Sequence, residues 1–326
     1  MKQIEFFIHP GYGKTGTTFL QEKIFSKIGF INLGKVFSDN ELKGLQYNVF
    51  RPKYTFDPIY PFNLQDDLKK YIFKIQEIIE SSNNKRVILS DEVIFDRINY
   101  FGDYNIYLFK EIIDKLSEKF IVNLNFILTI RNQSDLIAPT FAYNYYRQKQ
   151  NFGNLNNYIN KILIDKNLSQ IYFYDELVVK IKKTFSPKKI IILPYEELST
   201  DYENYLKKIE EFMEISLDEL RTKNEIINKN HINIDGSKSW YLNDLKISKF
   251  YIYLTKIHNI LKENKFYKNH HSKLNFIKKI FLPKQKKVGL ISISEHQKNL
   301  LKKHYIESNQ KLEKLCQIDL KRFGYH

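Results

Sequence analysis

Short apolar runs alternate along the first two thirds of the chain with segments in which apolar residues recur every three or four positions. The run QIEFFIH, residues 3–9, fits a strand buried on both faces. Thr17 to Ile28 has helical spacing, with Phe19, Leu20, Ile24 and Phe25 on the inner side. Leu68, Ile72, Ile75 and Ile79 repeat that spacing over 64–82, and KRVILSDE follows as a compact strand ending in two carboxylates. A helix over 105–119 leads to the long strand VNLNFILTIR, which ends at Arg131. Residues 134–150 read as helix with Pro139 marking its first turns or a kink. A helical stretch over 155–184, the strand KKIIILPYEEL and a helix over 201–214 complete this part.

Strands alternating with helices of this length predict a parallel sheet with crossover connections, hence an α/β fold of three layers. From about 243 onward the strand signal disappears. KISKFYIYLTKIHNILKENKF and SEHQKNLLKKHYIESNQKLEKL are amphipathic helices expected to pack on the sheet, with a basic stretch, 262–287, between them. No repeat and no Gly/Pro/Ser-rich linker divides the chain. A single domain is expected, with a core over 1–215 and a C-terminal loop and helical region over 216–326.

Composition narrows the class only modestly. With 43% hydrophobic and 15% aromatic residues, the chain can bury a substantial core. One cysteine, Cys316, excludes an internal disulfide framework and a cysteine-built zinc site. No apolar run approaches the roughly 20 residues of a membrane span and no leader pattern is read, so a cytoplasmic protein is expected. The net charge of +15 favours anionic partners. Abundant lysine, asparagine and isoleucine with scarce arginine equally fit compositional drift, so charge alone does not decide the matter.

The candidate chemistry sits at FFIHPGYGKTGTTFLQ, residues 6–21. A strand, a glycine-rich turn and a helix start form a phosphate cradle. In a nucleotide-triphosphate loop, GxxxxGK[ST], lysine follows the last glycine and reaches the terminal phosphates. With Gly11 and Gly16 as the two glycines, Thr17 takes that position, and the only lysine of the loop, Lys14, stands three residues earlier. The backbone device is kept while the cation lies at the edge of the phosphate, where a leaving group departs.

Lys14-Thr15-Gly16-Thr17-Thr18 with Phe19-Leu20-Gln21 resembles the 5′-phosphosulfate loop of sulfotransferases that use 3′-phosphoadenosine 5′-phosphosulfate (PAPS), in the form typical of bacterial carbohydrate-type members. TIRNQSDLIAPTFAYNYYR, residues 129–147, resembles that family's 3′-phosphate motif, an arginine ending a strand before a helix that carries a hydroxyl eight positions on. Arg131 suits a terminal phosphate, which guanidinium grips bidentately. The eighth position is Pro139; Thr140 after a one-residue shift, Ser134 at the helix start, or neither supplies the hydroxyl. IILPYEELSTDYENYLKKIEEFMEI and NQKLEKLCQIDLKRFGYH are similar to further family segments, leaving 35–85 and 245–290 as the places for acceptor specificity.

The resemblance implies a sulfotransferase of P-loop-like three-layer fold. It would move a sulfuryl group from PAPS to a hydroxyl or amine and release 3′-phosphoadenosine 5′-phosphate (PAP), with no metal. Lys14 would neutralise the departing bridging oxygen, while Gly13, Thr15, Gly16, Thr17 and Thr18 hold the 5′ phosphate. Arg131 and Thr140 would take the 3′ phosphate, with Lys238 of the polar loop NKNHINIDGSKSW touching it. Glu92 is the leading base, on a strand end beside the crevice. Asp91, Glu41 (placed as in glycan N-sulfating relatives) and His9 are rivals, and SDE is also an ordinary salt-bridging strand end. His231 is a solvated residue or part of a closing loop, and His270-His271 lacks a third metal ligand. A bacterial surface glycan or glycolipid precursor is the expected acceptor, with the YNYY run at 143–146 available to stack on a sugar. Region 246–287 would contact an anionic membrane. No nucleic-acid motif is present. The rival reading is a divergent P-loop nucleotide kinase or NTPase with Asp91 as its metal-holding carboxylate.

Overall fold

The computed structural model describes residues 1–34, 40–50, 64–92, 94, 104–221, 232–234, 237–246 and 284–326. Five parallel strands form its centre: β1 Lys2–His9, β2 Ile31–Asn32, β3 Arg86–Ser90, β4 Phe120–Ile130 and β5 Lys189–Pro194. They lie side by side in the order β2-β3-β1-β4-β5. Alternation along each strand sends side chains to both faces. Ile4, Phe6 and Ile8 pack with Val87, Leu89, Leu124, Phe126 and Leu128 on one side, while Phe7, Ile88, Ile127 and Leu193 pack on the other. Both faces are dry, which is why these strands read as unbroken apolar runs.

Helices cover each face. α1 starts at Thr17–Phe19 and continues as a π-helical turn over Leu20–Phe25. α2 (Asn40–Phe50), α3 (Leu64–Ser81) and α4 (Tyr104–Ser117) come next in the chain. After β4 come α5 (Gln133–Tyr143), α6 (Tyr145–Phe152), α7 (Leu155–Ile164), α8 (Lys166–Ser169) and α9 (Tyr174–Phe185). α10 (Tyr195–Thr200), α11 (Tyr202–Met213) and α12 (Asp218–Arg221) follow β5. Leu68, Ile75 and Ile79 of α3, Phe109 and Ile112 of α4 and Val178 and Ile181 of α9 cover one face. Leu20, Ile24 and Phe25 of α1 and Tyr205, Leu206 and Ile209 of α11 cover the other. The expected three-layer α/β architecture is present.

Three local expectations need correction. Strands do not end near 243. β6 (Ile232–Ile234), β7 (Ser237–Lys246) and β8 (Lys284–Ile291) form an antiparallel sheet of their own, and KQKKVG lies in β8. Trp240 of β7 is buried with Leu136 and Phe141 of α5 and with Leu301 and Tyr305, so this small sheet has an apolar anchor that its lysine-rich sequence conceals. The helix expected over 134–150 is interrupted: α5 carries Pro139 in its interior and runs on to Tyr143. The break comes at Asn144, whose main-chain and side-chain N–H groups both donate to the Thr140 carbonyl. β3 ends at Ser90 and β4 at Ile130, so Asp91, Glu92 and Arg131 stand in the loops just past the strands. The helix expected from 246 and the basic stretch up to 283 lie outside the described residues. No helix among the described residues is long and apolar enough to cross a membrane.

The chain closes on itself at its end. α13 (Glu295–Cys316) begins with a capping box between Ser294 and Gln297. Beyond it, Tyr325 is 1% exposed and donates to Glu196 Oε2 at 3.0 Å. The Gly324 carbonyl accepts from Asn132 Nδ2 at 2.7 Å, and Arg322 reaches Glu197 beside Lys208. These last residues therefore brace the turn after β4. Tyr325→Ala should lower the unfolding free energy by about 3–5 kcal/mol, and Tyr325→Phe by only about 1–2 kcal/mol through the lost hydrogen bond. Denaturant melts of the two variants give the comparison.

Candidate active site

Successive connections leave β1 toward one edge of the sheet and β4 toward the other, although the two strands are neighbours. In an open α/β sheet that is where a ligand crevice opens, at the carboxyl ends. His9, the loop Pro10–Gly16 and the start of α1 border it from β1; Arg131 borders it from β4 and Ser90, Asp91 and Glu92 from β3.

The loop lies very close to the strands beneath. A Cβ on Gly11 would come within 2.4 Å of Thr129 Oγ1 and 2.8 Å of His9 Nε2, so no side chain fits there. Gly16 has φ +84°, and a Cβ would also meet the Tyr195 ring at 3.1 Å. Lys14 takes the left-handed region too, at φ +69°, a conformation that costs a non-glycine residue about 1–2 kcal/mol. Arg131 Nη1 donates to the Lys14 carbonyl at 3.1 Å and holds that turn. Curvature of this kind lets successive amides converge on an anion. Gly13 has nothing within 4 Å of where a Cβ would sit, which is the open side of the loop.

Below the loop runs a chain of buried polar groups. Gln21 Nε2 lies 3.1 Å from Ser90 Oγ, which lies 2.7 Å from His9 Nδ1. His9 Nε2 is 3.3 Å from Thr129 Oγ1, which is 2.8 Å from Thr15 Oγ1, and Thr15 donates to the Tyr12 carbonyl at 2.5 Å. Each hydroxyl has one proton. Since Thr15 gives its proton to Tyr12, Thr129 must donate to Thr15 and His9 Nε2–H to Thr129. His9 Nδ1 then accepts from Ser90, and Ser90 accepts from Gln21. The protons point one way from Gln21 to Tyr12 and require a neutral imidazole. Burial agrees, holding the His9 pKa down at about 4 against the opposing pull of Glu92. His9 is thus fully buried and engaged at both nitrogens.

The expected site residues fall into distinct settings. The Lys14 ammonium stands 3.8 Å from the ring centroid of Tyr143, which is 51% exposed, a cation–π contact. Thr15 has committed its hydroxyl beneath the loop, leaving only its main chain for a ligand. Thr17 is buried and donates to Glu92 Oε1. Thr18 is exposed on the first turn of α1. Asp91 is buried and accepts from Gln46 Nε2 at 2.9 Å, facing away into α2. Glu41 belongs to α2, but its side chain lies outside the described residues, as do His231, His270 and His271.

Arg131 is 8% exposed, its guanidinium stacked 4.6 Å from the Tyr195 ring centroid, and its Nε has no partner among the described residues. Ser134 spends its hydroxyl on Asn132 Oδ1 in the cap of α5, whereas Thr140 Oγ1 is buried without a partner among the described residues. Of the two hydroxyls open to the 3′-phosphate role, Thr140 is the unengaged one. Lys238 donates to Asp135 Oδ2 at 3.0 Å, over the first turn of α5. Glu196, its carboxyl pushed up by burial, accepts from the Asn132 amide at 2.9 Å and fixes the turn after Arg131.

Residues 6–273 match the sequence profile of the family described as "Sulfotransferase domain". The chain belongs to that family. Among solved structures it is similar to a sulfotransferase from Alicyclobacillus acidocaldarius, with 12% identity, a TM-score of 0.49 and 99% of each chain covered. No curated protein matches it. Membership in the sulfotransferase family makes the chain a transferase and sets aside the nucleotide-kinase reading of its loop. The loop's polar support escaped the sequence reading: Gln21, Ser90 and Thr129 look like minor polar interruptions. Ser90 and Thr129 do fall at the carboxyl ends of otherwise apolar strands, and that was the available signal.

Gly11→Ala should cost about 1–3 kcal/mol of stability, while Gly13→Ala stays within about 0.5 kcal/mol of the parent. His9 binds its proton less readily when folded, so its contribution is complete above pH 6.5 and is lost as pH falls toward 4. Between those limits the parent protein should lose about 3 kcal/mol more than His9→Gln. Denaturant midpoints of both proteins against pH measure the difference.

Proposed function

We propose that this sulfotransferase takes PAPS as donor and passes its sulfuryl group to a hydroxyl or amine of a glycan or glycolipid precursor, releasing PAP. The observation that carries the reading is the junction of loop and arginine: Arg131 holds the Lys14 carbonyl, and its Nε is uncommitted among the described residues. One turn thereby ties a lysine at the edge of an amide-lined loop to a buried guanidinium, matching a nucleotide with phosphate groups at both ends.

The residues suit such a donor. Main-chain amides of Thr15 to Thr18, at the start of α1, would hold the 5′ phosphate. Arg131, with Thr140 as hydroxyl donor and Lys238 nearby on β7, would take the 3′ phosphate. The donor supplies an electrophilic sulfur whose bond to the bridging oxygen breaks as the bond to the acceptor forms. Lys14 counters the charge that grows on that oxygen, and positioning with electrostatics does most of the rest. Glu92 accepts the acceptor's proton. Of its rivals with described side chains, Asp91 turns toward Gln46 and His9 has no nitrogen left for a substrate. Tyr143, exposed beside Lys14, is the tyrosine of the YNYY run best placed to meet a sugar ring. A glycan acceptor rests on resemblance to carbohydrate-type members and on this ring.

Calorimetric titration with PAP, 5′-AMP and ATP tests the donor. PAP should bind at least tenfold tighter than 5′-AMP, and Arg131→Ala should erase most of that preference, the loss expected when a charged hydrogen-bond donor is removed. Equal affinity for PAP and 5′-AMP would refute the assignment. With radiolabelled PAPS and a glycolipid or glycan extract, Lys14→Ala and Glu92→Gln should each reduce transfer by about a hundredfold or more. Transfer should persist in EDTA, since the leaving oxygen's charge is met by Lys14.

A further inference from the structure

We propose that Thr17 couples arrival of the donor to release of the Glu92 carboxylate, so that the base is masked until the phosphate loop is filled. The inference rests on the donor and base assignments just made and adds a positioning residue between them. Thr17 is 3% exposed at the first position of α1, where helix amides meet the loop, and its hydroxyl donates to Glu92 Oε1. Glu92, part-exposed just beyond β3, also lies close enough to His9 to act on its charge. The base and the loop are therefore already in contact before any ligand enters.

The coupling follows from proton counting. A hydroxyl has one proton, and both an ionised carboxylate and a 5′ phosphate can only accept. Thr17 can serve Glu92 or the phosphate, never both at once. A phosphate seated on the first turn of α1 has two unesterified oxygens to accept with and the helix amides in its favour. It takes the Thr17 proton. Glu92 then loses the Thr17 hydroxyl, and that carboxylate oxygen is open to the acceptor. In the transfer step the acceptor's O–H or N–H proton goes to Glu92, the acceptor atom bonds to sulfur, and the sulfur–oxygen bond to the phosphate breaks. An acceptor reaching the crevice before the donor would meet a carboxylate still engaged by Thr17.

The test reads binding, not turnover. PAP affinity is measured by calorimetry for the parent protein, Glu92→Ala, Thr17→Val and the double variant. Removing Glu92 should tighten PAP binding about tenfold when Thr17 is present, because competition for the hydroxyl disappears. In the Thr17→Val background the same change should give about twofold or less, the remainder from relief of like-charge repulsion. Thr17→Ser, which keeps the hydroxyl, should restore the full effect and guards against a packing artefact at this buried position. An equal effect of Glu92→Ala in both backgrounds, or weaker PAP binding without Glu92, would overturn the coupling and leave the donor assignment standing. Failure of the parent protein to bind PAP would overturn both.

Discussion

A loop that offers its backbone to an anion must be held still by groups the anion does not use. Here that constraint is met by six residues in series, from Gln21 through Ser90, His9, Thr129 and Thr15 to the Tyr12 carbonyl. Their hydroxyls and imidazole pass hydrogen bonds in one direction only, because each donor has a single acceptor left to satisfy. The arrangement fixes the tautomer of His9, spends the Thr15 side chain and forces glycine at position 11. It also explains why a histidine beside a catalytic crevice is a poor base: its burial disfavours charge and both nitrogens are taken.

The second constraint comes from the far end of the chain. Arg131 can meet a phosphate only if the turn after β4 is fixed, and that turn is braced by Glu196, Asn132, Gly324 and Tyr325. Glu196 is a buried carboxylate behind a buried guanidinium, and the tyrosine hydroxyl and the Asn132 amide together satisfy it. Residues nearly two hundred positions apart thus shape one corner of the site. Tyr195 joins both halves, stacked on Arg131 on one side and limiting Gly16 to glycine on the other.

What the sequence disclosed followed from strong local signals. Apolar runs bounded by turns marked β1, β3, β4 and β5, because strands buried on both faces need unbroken hydrophobicity. The family was readable in the loop and Arg131, since glycine spacing and a strand-terminal arginine have direct chemical consequences. The second sheet was not: β7 and β8 mix lysines with few apolar residues, and Trp240 and Leu242 of β7 and Ile291 of β8 tie it to the core. The helix around Pro139 was legible, but its break at an unremarkable asparagine, Asn144, was not. Contacts that depend on partners far along the chain, such as Thr17 with Glu92 or Tyr325 with Glu196, have no local pattern at all. Glu92 was preferred to its neighbour Asp91 in sequence, but their partners were not legible there: Asp91 meets Gln46 and Glu92 meets Thr17 of the glycine-rich loop's helix.

The central claim is spatial: one nucleotide reaches from the amides of Thr15 to Thr18 across to the guanidinium of Arg131, with the Lys14 ammonium at the oxygen that bears sulfur in the donor. A crystal structure of the protein with PAP tests it most directly. The account predicts the 5′ phosphate on the loop within hydrogen-bonding distance of the Thr17 hydroxyl, the 3′ phosphate on Arg131, and Lys14 moved from the Tyr143 ring to the 5′-phosphate oxygen. A 3′ phosphate facing solvent, or a nucleotide seated away from residues 13 to 18, would contradict it.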